Sequence, residues 1–202
     1  GRHGEAVETL RRALEPDPGH APAWHQLGLA HEAMGSFGDA AEAFWRAGQI
    51  APDEAESWSH LGSAFLQLSR WREALDAFRR ATARKPGDAG AWHGTGIALR
   101  GVGKAGEAVD AFERALTLEP DRPETLAALG QTLMLLERFE DASRVLAKAA
   151  PLNPENPDTW FRKGICDERT GKFGEAVASF DAAITRDPSN PSAWFHKGLT
   201  LE

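Results

Sequence analysis

The sequence predicts an all-α fold built from one repeated pair of helices, and three observations carry that prediction. Pro18, Pro52, Pro86, Pro120, Pro154 and Pro188 recur every 34 residues. Trp24, Trp58, Trp92, Trp160 and Trp194 keep the same spacing, with Leu126 in the one gap, and Gly28, Gly62, Gly96, Gly130, Gly164 and Gly198 follow it throughout. A small residue precedes a bulky one by four places in Ala40/Phe44, Ala74/Phe78, Ala108/Phe112, Ala142/Leu146 and Ala176/Phe180. No insertion breaks the register. A fixed period of this length marks stacked supersecondary units that need their neighbours to bury an apolar face. No stretch alternates with the period of a strand.

The elements follow in order. Residues 1–20 read as the second helix of a partial repeat. Five full repeats follow at 21–54, 55–88, 89–122, 123–156 and 157–190, and residues 191–202 read as the first helix of another. In the first full repeat, Trp24, Leu27, Gly28 and His31 fall on one face of a helix. Phe37, Ala40, Ala41, Phe44 and Ala47 form the apolar face of a second helix. Pro52 ends it, because proline cannot continue a helix and pushes the preceding residue out of the α region. Later repeats reuse the scheme. Gly28, Ala40 and Ala47 are small enough for two helices to approach closely, with the Trp24 ring expected across the seam. By the same logic Trp92 is expected to be a buried seam residue.

Residues 101–106 read Gly-Val-Gly-Lys-Ala-Gly, a literal match to the dinucleotide-binding pattern G-x-G-x-x-G. Its counterparts in other repeats are Ala-Met-Gly-Ser-Phe-Gly at 33–38 and Arg-Thr-Gly-Lys-Phe-Gly at 169–174. The stretch is therefore the turn inside a repeat. Gly103 shares its place with Gly1, Gly35 and Gly171, where a helix C-terminus favours a left-handed residue. A nucleotide fingerprint needs a preceding strand, and here a helix precedes it.

The pattern Trp24-x2-Leu27-Gly28-x2-His31, then Ala40-x3-Phe44, then Pro52, resembles the tetratricopeptide repeat and covers the whole chain. The departures are local: the family's usual tyrosine is replaced by His31, Phe65, Leu99, Leu133 and Asp167, and Lys163 and Lys197 stand where leucine is usual. Those lysines are expected to bury their stems and send the ammonium to water. The resemblance implies a single right-handed superhelical solenoid of stacked antiparallel helix pairs. It also implies a non-catalytic scaffold that binds a partner protein or peptide in a concave groove lined by first helices. Carried over position by position, the groove residues singled out are His25, His60, His93, Arg100, Met134, Phe161, Arg162 and Phe195, the strongest contacts being expected at Met134, Phe161, Arg162 and Phe195. The carboxylate clamp of chaperone-binding members and the asparagine ladder of another branch do not match these positions. Two alternatives stay open: a recruiting or regulatory arm of a larger enzyme, and a self-assembling scaffold. For the latter, Trp194, Gly198 and Leu201 of the last helix match Ala6, Leu10 and Ala13 of the first, which predicts weak head-to-tail association.

Composition narrows the partners. The formal net charge is −7, which argues against nucleic acid as the main partner. No apolar run is long enough to span a bilayer. The single cysteine permits no internal disulfide, which fits a cytoplasmic setting. No catalytic group, cofactor site or metal site is expected: His25 and His93 sit two repeats apart, and His31-Glu32 opens a metal motif that Gly35 breaks. Cys166 aligns with small residues and is read as a buried, inert thiol. Asp167 aligns with large apolar residues and calls for Arg162 or Lys163 as a partner. Arg72, Arg79, Arg80 and Arg84 are read as a solvated, paired face of a second helix.

Overall fold

The computed structural model describes residues 2–202, and twelve α-helices occupy them. They are α1 (Arg2–Leu14), α2 (Ala21–Ala33), α3 (Phe37–Ile50), α4 (Ala55–Gln67), α5 (Trp71–Arg84), α6 (Ala89–Gly101), α7 (Ala105–Leu118), α8 (Pro123–Leu135), α9 (Phe139–Leu152), α10 (Pro157–Arg169), α11 (Phe173–Arg186) and α12 (Pro191–Leu201). No strand occurs among the described residues. The chain divides into two compact units, Gly1–Gly103 and Lys104–Glu202. Within each, a helix packs mainly on the helix before it and the helix after it. First helices also meet directly, α4 with α6 in the first unit, and α8 with α10 and α10 with α12 in the second.

Local chemistry sets the helix ends. Proline occupies the first turn of α2, α8, α10 and α12, where no backbone donor is lost. The Asp88 carboxylate accepts from the Ala91 N–H at 3.0 Å, and Asn156 and Asn190 accept from Asp158 and Ser192, each at 3.0 Å. The turn inside each repeat requires a left-handed residue. Gly35, Gly103 and Gly171 hold φ of +73°, +82° and +75°, and the expectation for these glycines is met. Ser69 and Glu137 adopt φ of 56° at the same place, so two repeats accept the steric cost of a Cβ there. Gly1 lies outside the described residues.

The core corrects the packing expected at Gly28. The ring that fills that place is Phe44, not Trp24: a Cβ on Gly28 would stand 2.6 Å from the Phe44 ring. The arrangement repeats as Gly62 on Phe78, Gly130 on Leu146 and Gly164 on Phe180. Phe44, Phe112, Leu146 and Phe180 are fully buried and Phe78 nearly so. The small–bulky series is thus the core itself, one bulky side chain per repeat, set where a glycine leaves a slot open in four of them.

The tryptophans do something else. Trp24, Trp58, Trp92, Trp160 and Trp194 each donate their indole N–H to the carbonyl of Pro18, Pro52, Pro86, Pro154 and Pro188, at 2.9–3.1 Å. The proline and tryptophan series are in phase because one holds the acceptor of the other. Burial is graded, which corrects the expectation for Trp92. That ring is half-buried, whereas Trp58 is 2% exposed. Trp58 sinks because Gly48 leaves room for it and the Arg80 guanidinium covers it at 4.6 Å.

One polar cluster sits in the core of the second unit. Asp167 is fully buried; it accepts from Ser143 Oγ at 2.5 Å and from Lys163 Nζ at 2.5 Å, and Lys163 also donates to Ser179 Oγ at 3.1 Å. Lys163 is the expected partner, but its ammonium turns inward and not to water. Only the hydroxyls explain how the pair is tolerated, since they satisfy the remaining valences. Arg162 pairs instead with Asp158 at 2.6 Å. Cys166 beside them is fully buried, and burial foremost pushes its thiol up to about 12, so it is inert.

Candidate partner-binding face

The first helices carry the candidate residues, and each unit gathers them around a histidine. In the first unit, His60 of α4 directs Nδ1 at Glu32 Oε2 of α2, 3.1 Å away. Its ring stacks on Phe44 at 5.0 Å and meets His25 edge-on at 5.5 Å. His25 Nδ1 lies 2.9 Å from Ser57 Oγ. Burial, and secondly the nearby His60, lowers the His25 pKa below the ordinary imidazole value, while Glu56, Glu54 and Glu32 act against the shift. His25 and His60 are therefore not free groove side chains. They bridge neighbouring repeats.

The second unit repeats this cluster. His196 of α12 directs Nδ1 at Glu168 Oε2 of α10, 2.9 Å away, and stacks on Phe180 at 5.8 Å. Phe161 takes the place of His25, with its ring 5.8 Å from His196. Thr200 Oγ1 adds a hydrogen bond to Glu168 at 3.2 Å. Both bridges join first helices of adjacent repeats. The matching pairs Glu32/His60 and Glu168/His196 are legible as residues in the sequence, but nothing in one repeat alone indicates that they touch.

The remaining candidates spread along the same set of helices. His93 and Arg100 are half-buried on α6, and Met134 is half-buried on α8. Phe161 and Arg162 are half-buried on α10. Phe195 is the most open of them at 63% exposed, with Leu199 one turn on at 48%. The structure thus gathers His25 with His60, and Phe161 with Phe195 through the His196 ring between them. The Arg162 guanidinium is already held by Asp158.

Other surfaces are committed elsewhere. Arg70, just before α5, pairs with Glu73 at 2.7 Å, and on α5 Arg80 covers Trp58 and Arg84 Nε donates to the Pro52 carbonyl at 2.8 Å. These contacts commit Arg70, Arg80 and Arg84 to the fold. Beside His25 a cleft of about 170 Å³ is lined by Pro22, Gln26, Glu54 and Ser57 among others, well short of a drug-sized ligand's pocket. No group of three or more His, Cys, Asp or Glu that could hold a metal occurs among the described residues. No helix among them is long and apolar enough to cross a membrane.

Comparison with known proteins agrees with this architecture. Family models described as tetratricopeptide repeat match residues 99–163, and residues 1–55, 25–89, 59–123 and 167–202. A search of curated protein sequences finds no match. Among solved structures, the chain is similar to YrrB, a tetratricopeptide repeat protein with an unusual peptide-binding site, at 18% identity and a TM-score of 0.81, over 95% of this chain and 99% of that one. It is also similar to MamA from Desulfovibrio magneticus RS-1, at 18% identity and a TM-score of 0.76, over 85% of this chain and 97% of that one. A third is the tetratricopeptide repeat protein TTC0263 from Thermus thermophilus, at 22% identity and a TM-score of 0.60, over 90% of this chain and 98% of that one. At these identities the likeness concerns the fold. With family models matched along nearly its whole length, the chain belongs to the tetratricopeptide repeat family.

Proposed function

We propose that this chain is a non-catalytic interaction module that binds a peptide segment of a partner protein along its concave first-helix face. One observation carries the reading: Phe161 of α10 and Phe195 of α12 stand one repeat apart on first helices, their rings 5.8 and 5.7 Å from the His196 ring between them. Apolar side chains left open on neighbouring first helices are what a docked peptide covers, and aromatic anchors dominate such interfaces. The peptide-binding site named for YrrB, whose fold this chain shares, supports it. Arg162 contributes less than an unpaired arginine would, since Asp158 already holds it.

The test selects binding peptides from a displayed library with the whole chain, then repeats the measurement with variants. Phe161→Ala and Phe195→Ala are each expected to weaken the selected peptide by about 1–3 kcal/mol with unchanged circular dichroism. Full affinity in both variants removes the assignment.

A second reading is favoured by Gly198. Four glycines at its place in other repeats face a core side chain, but a Cβ on Gly198 would meet nothing within 4 Å, and Trp194 is 52% exposed. In this reading Leu10 of a second copy of the chain docks there, making a weak head-to-tail contact that does not close. Light scattering is expected to show mass rising with concentration, and Gly198→Phe to abolish the rise. A monomeric mass at every concentration ends this reading.

A further inference from the structure

The two histidine clusters share a plan and differ at one contact. In each, a glutamate of one first helix meets a histidine of the next, Glu32 with His60 at 3.1 Å and Glu168 with His196 at 2.9 Å. That histidine stacks on the bulky core ring, Phe44 or Phe180. The first unit adds a second titratable ring. His25 lies 5.5 Å from His60, and its Nδ1 is 2.9 Å from Ser57 Oγ. In the second unit Phe161 stands in place of His25 and Ala193 in place of Ser57. Both members of the hydrogen-bonded pair are absent there, yet Phe161 still packs on Phe180 and Ala193 is fully buried. The fold therefore closes this joint without a polar pair.

Charge separates the two versions. A proton on His60 faces the Glu32 carboxylate directly. A proton on His25 has no such partner: Nδ1 meets a hydroxyl, and α3 offers only the edge of Phe44, at 5.4 Å. The charged groups around His25 are His60 and Glu56 on α4, Glu54 just before it, and Glu32 on its own helix, which His60 already engages; α1 and α3 bring none. Burial foremost, then His60, holds the His25 imidazole below its ordinary value of 6.5, and the three glutamates oppose the shift without reversing it.

We propose that the joint between α2 and α4 is acid-labile: a proton on His25, set beside a cationic His60, loosens these two first helices from each other, whereas the joint between α10 and α12 stays closed. The sign follows from linkage. The loosened state frees the imidazole and binds the proton more readily than the closed one. The stability that the joint contributes is complete above 6.5 and is lost as pH falls from there through the lower value of the folded state. Solenoid helices open locally, so the loss stays near the joint. The device is independent of the peptide-binding reading, whose anchors lie in the other unit.

The experiment measures amide hydrogen exchange of the whole chain between about pH 7.5 and pH 5.5, as protection factors free of the intrinsic pH dependence. Protection of α2 and α4 is expected to fall about three- to tenfold, because a free imidazole at the lower pH is protonated about ten to one. Protection of α10, whose joint has its own glutamate–histidine bridge and no second histidine, is expected to hold. The His25 imidazole, followed by NMR, is expected to titrate below 6.5. His25→Phe with Ser57→Ala copies the second unit and is expected to abolish the loss in α2 and α4. Phe161→His with Ala193→Ser is the reciprocal graft and is expected to create a loss in α10; it decides the matter if the first variant does not fold. An unchanged protection of α2 and α4 in the parent, an equal fall in α10, a His25 midpoint at or above 6.5, or a loss that survives in the folded first variant overturns the proposal.

Discussion

Phe78→Ala is expected to destabilise the chain by about 3–5 kcal/mol, read from the midpoint of chemical denaturation. Phe78 is 1% exposed and lies against two glycines, Gly62 of its own repeat and Gly94 of the next. Truncation removes contacts on both sides, and helices α4 and α6 cannot close the gap without losing register with α5. The opposite change tests the same geometry. A Cβ on Gly62 would stand 2.8 Å from the ring, so Gly62→Ala is expected to destabilise through overpacking even though alanine is the better helix former. Phe173→Ala serves as control, because that ring is 56% exposed. A loss at Phe78 no larger than at Phe173 would show that the ring is not the core of its repeat.

Asp167→Ala carries the second large expected effect, again about 3–5 kcal/mol, because it strands the Lys163 ammonium where only 16% of that side chain reaches solvent. The informative variant removes the whole cluster. Valine, leucine, leucine and alanine occupy the places of Ser143, Lys163, Asp167 and Ser179 in other repeats, at Val109, Leu129, Leu133 and Ala111. Installing those four residues together is expected to restore stability to within about 1 kcal/mol of the parent or exceed it, since a buried ion pair seldom outperforms well-packed apolar side chains. If the fourfold variant is as unstable as Asp167→Ala, the cluster stabilises by more than charge compensation and the reasoning fails.

Much of this architecture was legible because it is periodic. The proline series marks the loops, the glycines Gly35, Gly103 and Gly171 mark the left-handed turns, and the helix borders fall between them. What periodicity does not encode is which neighbour occupies a given space. It showed that Gly28 had to be small, yet left open whether Trp24 or Phe44 took the room, because both recur with the same period. It offered Lys163 to Asp167 from the same helix, but Ser143 and Ser179 reach it from two other helices. The contact of His25 with His60 escaped for the same reason: residues so far apart in sequence meet only through stacking of repeats. The candidate face was legible as a set of positions. Its uneven character, with His25 beside the bridged His60 in one unit and Phe161 beside the bridged His196 in the other, depends on contacts between side chains.

The tryptophan–proline hydrogen bonds have a consequence for how such a chain lengthens. In each, the donor sits six residues after its acceptor, so the bond measures the loop between successive repeats against a single indole. A connecting loop ordinarily tolerates an extra residue at small entropic cost. Here an extra residue between Pro86 and Trp92 would carry the N–H away from the carbonyl and rotate the following helix against its predecessor. The loops are therefore gauged, not merely short. A chain that grows by duplication can add whole repeats without disturbing any gauge, whereas a single-residue insertion at the joint breaks one at once. The repeat that carries Leu126 has no indole at this place, which makes the loop after Pro120 the one ungauged joint in the series and the place where length is freest to vary.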